Sequence, residues 1–260
     1  MTNKTKKAIL AVSFGTTHHA ESKVTVEAIE KKASECFPEY EVRRAYTSEI
    51  VRKVLKERDG LHVDNAWEAL ENLKKEQFQE VVIQPLHIIC GEEYQEKVLA
   101  AAGQYKDVFD RIAVGRPLLT TVGDYIAAIK ALKGQLPPQS DQQAVVLMGH
   151  GSDHPANASY ACLQLMLMDE LPNVFVGTVE GYPAFDDVLL KLKAAEIKKV
   201  VLMPFMLVAG EHVHHDLAGG HDDSWKTVLE KEGFEVQTYL HGIGENPAFQ
   251  EIYLQHIEQA

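Results

Sequence analysis

The 260-residue sequence predicts an α/β protein of two similar βα lobes, each a four-stranded parallel sheet flanked by helices, with an active-site cleft between them. Three observations carry this expectation. Short apolar, β-branched runs alternate with helical stretches of a dozen or more residues, the pattern of parallel strands covered on both faces. The alternation occurs twice, on either side of "KGQLPPQSDQQ" (133–143), whose paired prolines, glycine and short polar residues mark a linker. One phrase also returns in altered form: "VVIQPLHIICGEEY" in the first half and "VVLMPFMLVAGEHVHHD" in the second.

Taken in order, "KKAILAVSFGTTH" is a strand running into a glycine turn. The stretch "AESKVTVEAIEKKASECF" after it repeats its apolar residues at three and four, as a helix does. "YEVRRAYTS" is a second strand, "AWEALENLKKEQF" a helix, "QEVVIQPLHII" a third strand and "DRIAVGRPLL" a fourth. The second half answers with "QAVVLMGHGSD", "NVFVGTVEGYP", "KKVVLMPFMLVAG" and "FEVQTYLHGIG" as strands. "ANASYACLQLMLMDEL" and "AFDDVLLKLKAAEI" are the helices between the first three of them. The expected division is an N-terminal lobe at 1–133, a linker at 134–142 and a C-terminal lobe at 143–260, with the last helix packing back on the first lobe. A single eight-stranded βα barrel uses the same strand count; the duplicated phrases favour two lobes.

Composition narrows the class. The chain is 45% hydrophobic with a net charge of −12, which fits a soluble globule and argues against nucleic acid or an anionic membrane as partner. No stretch approaches the roughly 18 uninterrupted apolar residues of a membrane span. The start, "MTNKTKKAILAVSFGTTHH", is basic and then briefly apolar, but Ser13, Gly15 and two histidines interrupt it. With no small-residue cleavage site, it reads as a first strand and not a secretion signal. Three scattered cysteines (Cys36, Cys90 and Cys162) suit a reducing compartment and rule out a cysteine-built zinc site. A cytoplasmic location is expected. Residues 1–140 hold 20 basic and 20 acidic side chains, whereas 141–260 hold 6 and 18. All six arginines lie in the first part and eight of the twelve histidines in the second, so fixed cations and metal-type ligands are segregated.

In open parallel sheets ligands bind beyond the C-terminal strand ends. Glu93, His150, Glu180 and His212 all fall there. Setting Gly91 against Gly210 places Glu93 opposite His212, and setting Gly15 against Gly151 places Phe14 opposite His150. His150, in "MGHGSDH", is flanked by glycines, which implies close backbone approach; taken alone it is as readily a satisfied turn histidine. His212 opens a run of histidines and acids that suits a metal site or a solvated helix start. His214 and His215 read as surface or supporting groups, and His154 as a loop histidine. Glu180 ends an apolar strand, where a carboxylate without a partner would be costly, and an ion shared with two histidines supplies one. Glu93 follows the same logic, with Glu92 as an ordinary helix-start acid. Together they suggest metal binding by His150, Glu180 and His212, combined with proton abstraction by Glu93, a role His150 would share. "SFGTTH" lacks a P-loop lysine, no G-x-G-x-x-G occurs and "GHGSD" is not a nucleophile elbow, so no nucleotide cofactor is expected. A zinc hydrolase stays open, because two histidines and a carboxylate also hold catalytic zinc, although no "HExxH" is present.

The stretches "VSFGTTHH", "RRAYTSEIVRKVLKERDG", "QPLHIICGEEYQEKV", "VVLMGHGSDHPANASYAC", "VEGYP", "LMPFMLVAGEHVHHDLAGGHDDSWK" and "GIGENPAF" closely resemble the sirohydrochlorin cobaltochelatases of the anaerobic cobalamin pathway. These are class II chelatases related in fold to protoporphyrin ferrochelatase. The resemblance runs from Ile9 to about Tyr253, and the combination of "GHG", "EGYP" and "LMPFMLVAG-H" is specific where each piece alone is weak. It implies a two-lobe chelatase fold with the tetrapyrrole in the cleft and metal-binding histidines at His150 and His212. It also implies cleft carboxylates at Glu93 and Glu180, and Co(II) insertion into sirohydrochlorin or precorrin-2 without ATP. Fe(II) insertion, giving sirohaem, is the related activity. Relatives that bind haem at an oligomer interface carry a secretion signal; none is read here, so haem is not expected, and a homo-oligomer is left open. The substrate is rich in carboxylates, for which Arg43, Arg44 and Arg116 are the available cations and Ser13, Thr16 and Thr17 the hydrogen-bonding groups. The alternative is a non-catalytic tetrapyrrole or divalent-metal binding protein on the same fold.

Overall fold

The computed structural model describes residues 5–138 and 140–260. The first residues of the basic N-terminal start (1–4) and Gln139 of the expected linker lie outside the described residues. Strands β1 (Lys7–Ser13), β2 (Tyr40–Tyr46), β3 (Glu80–Pro85) and β4 (Arg111–Val114) form one sheet in the order β2-β1-β3-β4. Strands β5 (Gln143–Gly151), β6 (Val174–Glu180), β7 (Lys199–Pro204) and β8 (Glu235–Thr238) form a second in the order β6-β5-β7-β8. Every pairing is parallel, so each β-β connection must cross over through a helix or loop. Two separate four-stranded sheets with one topology repeat the two halves of the sequence and exclude the single barrel.

Each sheet is built by the period of two along its strands. In the first, Ala8, Leu10, Val12, Val81 and Ile83 join one apolar cluster with Leu70, Leu73 and Ala101. The alternate residues Ile9 and Val82 join another with Ala33, Leu254 and Ile257. In the second, Ala144, Val146, Met148, Val200 and Leu202 pack with Val188, Leu192, Trp225 and Leu229. Continuous β-branched runs therefore mark strands buried on both faces, which is why they were legible without alternation.

The chain divides into two compact units, one of residues up to Thr120 plus Pro247–Ala260 and the other Thr121–Asn246. These bounds differ from those read at 133 and 143. The helix Val122–Lys133 belongs to the second unit: Thr121 and Asp124 close a capping box at its start, Tyr125, Ala128, Ile129 and Leu132 are buried, and Asn246 Nδ2 donates to the Ala131 carbonyl. The prolines of 133–143 mark a turn, but only packing decides which sheet the helix before them covers. The final helix, Pro247–Glu258, packs in the first unit against the helix Val26–Cys36 and β3.

The duplicated phrase has a shared local form. Both β3 and β7 end in proline, and each is followed by a loop and a π-helical segment, Glu93–Leu99 and Val213–Leu217. Such widened turns are rare and occur mostly where a side chain must be re-aimed at a functional site.

Candidate functional site

In the second unit the site grows out of the end of β5. Gly151 adopts a φ of 81°, and a Cβ there would stand 2.1 Å from the Glu180 carbonyl oxygen, so only glycine fits. A Cβ on Gly149 would stand 2.4 Å from the Tyr160 ring. Between them His150 is carried beside the end of β6, since Gly151 registers with Glu180. Tyr160 supports the turn from beneath: burial pushes its phenol up to about 12, with the backbone N–H groups of Gly151 and His150 opposing the rise.

The rings of His150 and His212 stand 4.7 Å apart between centroids and nearly perpendicular, at 88°. His150 Nδ1 lies 3.0 Å from the Gly151 carbonyl oxygen. A carbonyl only accepts, so Nδ1 carries the proton and Nε2 keeps its lone pair. His212 Nδ1 donates to Asp216 Oδ2 at 2.6 Å, which again leaves Nε2 as the ligand atom. A carboxylate behind an imidazole in this way fixes the ring and raises its basicity as a ligand. Glu180 Oε2 lies 3.9 Å from His150 Nδ1. The structure thus brings together His150, His212 and Glu180, with both histidines half-exposed and able to meet an incoming ion.

The remaining histidines of "GEHVHHDLAGGH" sort themselves by their partners. Asp216 also accepts from His215 Nδ1 at 2.8 Å. Burial alone would raise its carboxyl, but the bonds from His215 and His212 outweigh it and hold Asp216 below the usual carboxylate range. His221 stacks on His215 at 4.0 Å. One of its nitrogens donates to the His215 carbonyl at 2.8 Å and the other to Asp223. The Asp223 bond, followed by that carbonyl, raises the His221 pKa above its ordinary value, and with both nitrogens held the ring straps the segment together. Asp216 was not singled out in the sequence, although its position four residues after His212 is the spacing of one helical turn.

In the first unit Glu93 opens the π-helical segment after β3. Its Oε1 accepts from Lys97 Nζ at 2.8 Å, and Lys97 also donates to the Thr47 carbonyl at 3.2 Å. Ser13 is buried at the end of β1; Thr16 accepts at Oγ1 from the His18 N–H, and the Thr17 carbonyl accepts from Arg58 at 2.6 Å. Arg116 lies beyond β4, its carbonyl accepting from Gln84 and His256. Arg43 and Arg44 are placed otherwise than expected. They register with Leu10 and Ala11, short of the strand end, and line an open groove of about 1460 Å³ with Glu27, Glu30, Glu41 and Asp64. Arg43 is paired with Glu41 and Glu76, each at 2.6 Å. Arg44 is bound by Glu30, with Glu27 at 3.7 Å. Burial alone would lower the Arg44 pKa, but the Glu30 bond outweighs it, and the guanidinium stays charged and committed.

Residues 7–260 match the family model described as cobalt chelatase (CbiK). The chain belongs to the CbiK family of cobalt chelatases. It is 39% identical over 255 residues to the sirohydrochlorin cobaltochelatase of Salmonella typhimurium, covering 98% of this chain and 96% of that one. It is 36% identical over 258 residues to the sirohydrochlorin cobaltochelatase CbiKC of Nitratidesulfovibrio vulgaris, covering 98% and 91%. Among solved structures, SirB from Bacillus subtilis with Fe3+ superposes with a TM-score of 0.64 at 18% identity, covering 98% of this chain and 95% of that one. CbiX, the terminal enzyme for siroheme biosynthesis in denitrifying bacteria, superposes at 0.56 and 17%, covering 97% and 99%. At those identities the likeness is one of fold. This cobalt chelatase therefore has the chelatase-like α/β fold with two similar lobes. Among its described residues no helix is long and apolar enough to cross a membrane.

Proposed function

We propose that this cobalt chelatase inserts Co(II) into sirohydrochlorin, as its two named relatives do by description, in the anaerobic route to cobalamin. The observation that supports this most directly is the His150–His212 pair, adjacent rings with both Nδ1 protons spent on oxygen acceptors, which leaves the Nε2 atoms as the ligating ones. Co(II) is a substrate, so the protein must hold it and then give it up. Two neutral imidazoles and the Glu180 carboxylate suit that task, being ligands cobalt accepts without the grip of thiolates. Asp216 keeps His212 in the ligating tautomer through the exchange.

Insertion also removes two protons from pyrrole nitrogens as four Co–N bonds form. Glu93 is the acceptor in this reading: Lys97 fixes Oε1 and leaves Oε2 for the proton. Thr16, Thr17 and Arg116 are the proposed contacts to substrate carboxylates; Ser13 drops out because its hydroxyl is buried, and Arg43 and Arg44 because their charges are spent on glutamates. Precorrin-2 and Fe(II) are the neighbouring substrate and metal that the same donors would accept.

The test is anaerobic metallation of sirohydrochlorin by Co(II), Fe(II), Ni(II) and Zn(II), followed through the visible spectrum without ATP. Co(II) should enter faster than in the protein-free control and in catalytic turnover. A protein that holds ring and metal while leaving the rate at the control value is a binder, and the proposal fails.

A further inference from the structure

Six buried side-chain polar atoms have no hydrogen-bond partner among the described residues, and all six belong to the first unit. One is Gln84 Oε1, inside β3 against Gly115. The other five converge where strands end: Ser13 Oγ at the end of β1, Thr47 Oγ1 just after β2, both ring nitrogens of His87 just after β3, and Glu93 Oε2 on the π-helical segment. Hydrogen bonds stitch the same elements together. Thr47 N–H donates to the Ser13 carbonyl at 2.9 Å, Leu86 N–H to the Val12 carbonyl at 2.7 Å, and Lys97 joins Thr47 to Glu93.

Unpaired buried polar groups cost free energy, so a cluster of them calls for a reason. His87 is the sharpest case. Its backbone is fixed, the carbonyl accepting from Leu118 N–H at 2.9 Å and from the Tyr253 hydroxyl at 3.5 Å, yet neither ring nitrogen bonds to protein. His256, a buried histidine of the same unit, behaves as a structural one does and spends Nδ1 on the Arg116 carbonyl at 2.9 Å. Burial pulls the His87 pKa down to about 4, with Glu93 opposing and Lys97 assisting, so the ring is neutral near pH 7. A neutral imidazole offers one N–H and one lone pair, the equipment of a two-way proton conduit.

We propose that His87 is a positioning and relay residue behind Glu93, taking through a bridging water the proton that Glu93 removes from a pyrrole nitrogen and passing it toward Ser13 and Thr47. This rests on the reading of Glu93 as proton acceptor. The step balances without any co-reactant. A pyrrole N–H bond breaks and Glu93 Oε2 gains the proton. That O–H bond then breaks as the proton moves through water to the His87 lone pair. The imidazolium loses the proton of its other nitrogen to water, which leaves a free carboxylate and a neutral imidazole in the opposite tautomer. A turn of the ring, or exchange of its N–H with water, returns the lone pair toward Glu93 before the second pyrrole proton follows.

The test uses the full chain with Co(II) and sirohydrochlorin, comparing wild type with His87→Ala, His87→Gln and Glu93→Gln by Co(II) titration and single-turnover metallation. Both His87 variants should bind Co(II) within about twofold of wild type and insert it at least about tenfold more slowly. Added imidazole should restore His87→Ala severalfold and leave His87→Gln and Glu93→Gln unchanged. A merely structural histidine gives slow insertion that imidazole does not rescue, or a His87→Gln variant with the normal rate; either result overturns the relay. A wild type without turnover overturns the cobalt chelatase reading itself, and a Glu93→Gln variant with normal turnover removes the acceptor on which the relay depends. Normal His87 variants beside a slow Glu93→Gln remove the relay alone.

Discussion

Asp216 shows how one carboxylate can decide what a neighbouring imidazole does. It holds His212 Nδ1 at 2.6 Å and His215 Nδ1 at 2.8 Å, and so points the His212 lone pair outward. Asp216→Asn keeps the size but loses the charge and half of the accepting capacity. Its Co(II) affinity should fall about 10- to 100-fold in a titration, the usual cost of losing such a supporting carboxylate. His215→Ala should cost much less, because it touches Asp216 and not the proposed ion. His87 makes a separate prediction. Its folded pKa of about 4 lies below the unfolded value of 6.5, so the unfolded chain binds the proton first. Stability contributed by keeping the ring neutral is present above pH 6.5 and is lost as pH falls toward 4. The loss should approach about 3 kcal/mol by pH 4, and His87→Gln should flatten that part of the stability profile in denaturant titrations.

At the scale of elements, the strand-end turn "GHG" is the part the sequence displayed most openly. Two glycines beside one histidine imply close approach, and the structure gives each a reason: Tyr160 under Gly149, and the β6 backbone beside Gly151. Gly151→Ala should therefore destabilise the protein by about 1–3 kcal/mol through its positive φ and the collision with the Glu180 carbonyl. It should also weaken Co(II) binding, since His150 and Glu180 are spaced by that contact; equal midpoints in urea for variant and wild type would contradict this. The strands, too, were legible, because β-branched runs bounded by turns have few other fates. What stayed hidden depends on partners distant in the chain. Arg43 and Arg44 looked like cations available to a ligand; Glu41 lies only two residues from Arg43, but the forked partners Glu76 and Glu30 lie 33 and 14 residues away. The helix Val122–Lys133 carries apolar residues on more than one face, with Val122 and Ile126 exposed, and nothing local says which sheet it will cover. The missing partners of His87 are likewise a property of packing, which no spacing along the chain can reveal.

At the scale of the whole molecule, charge opposes one substrate and favours the other. The second unit carries 8 basic and 17 acidic side chains, and so most of the chain's net −12. A field of that sign draws in a divalent cation and repels a tetrapyrrole rich in carboxylates. Local arginines would reverse the second effect, but Arg43 and Arg44 are each offset by glutamates at bonding distance. Salt screens such fields over a Debye length of about 10 Å at 0.1 M. Raising ionic strength from about 0.02 to 0.3 M should therefore slow Co(II) association and speed sirohydrochlorin association, two salt dependences of opposite sign in one enzyme. Stopped-flow binding of each substrate separately, in a salt of weakly coordinating anions, measures both slopes. A tetrapyrrole on-rate that falls with salt would mean that local cations, and not the total charge, govern its approach.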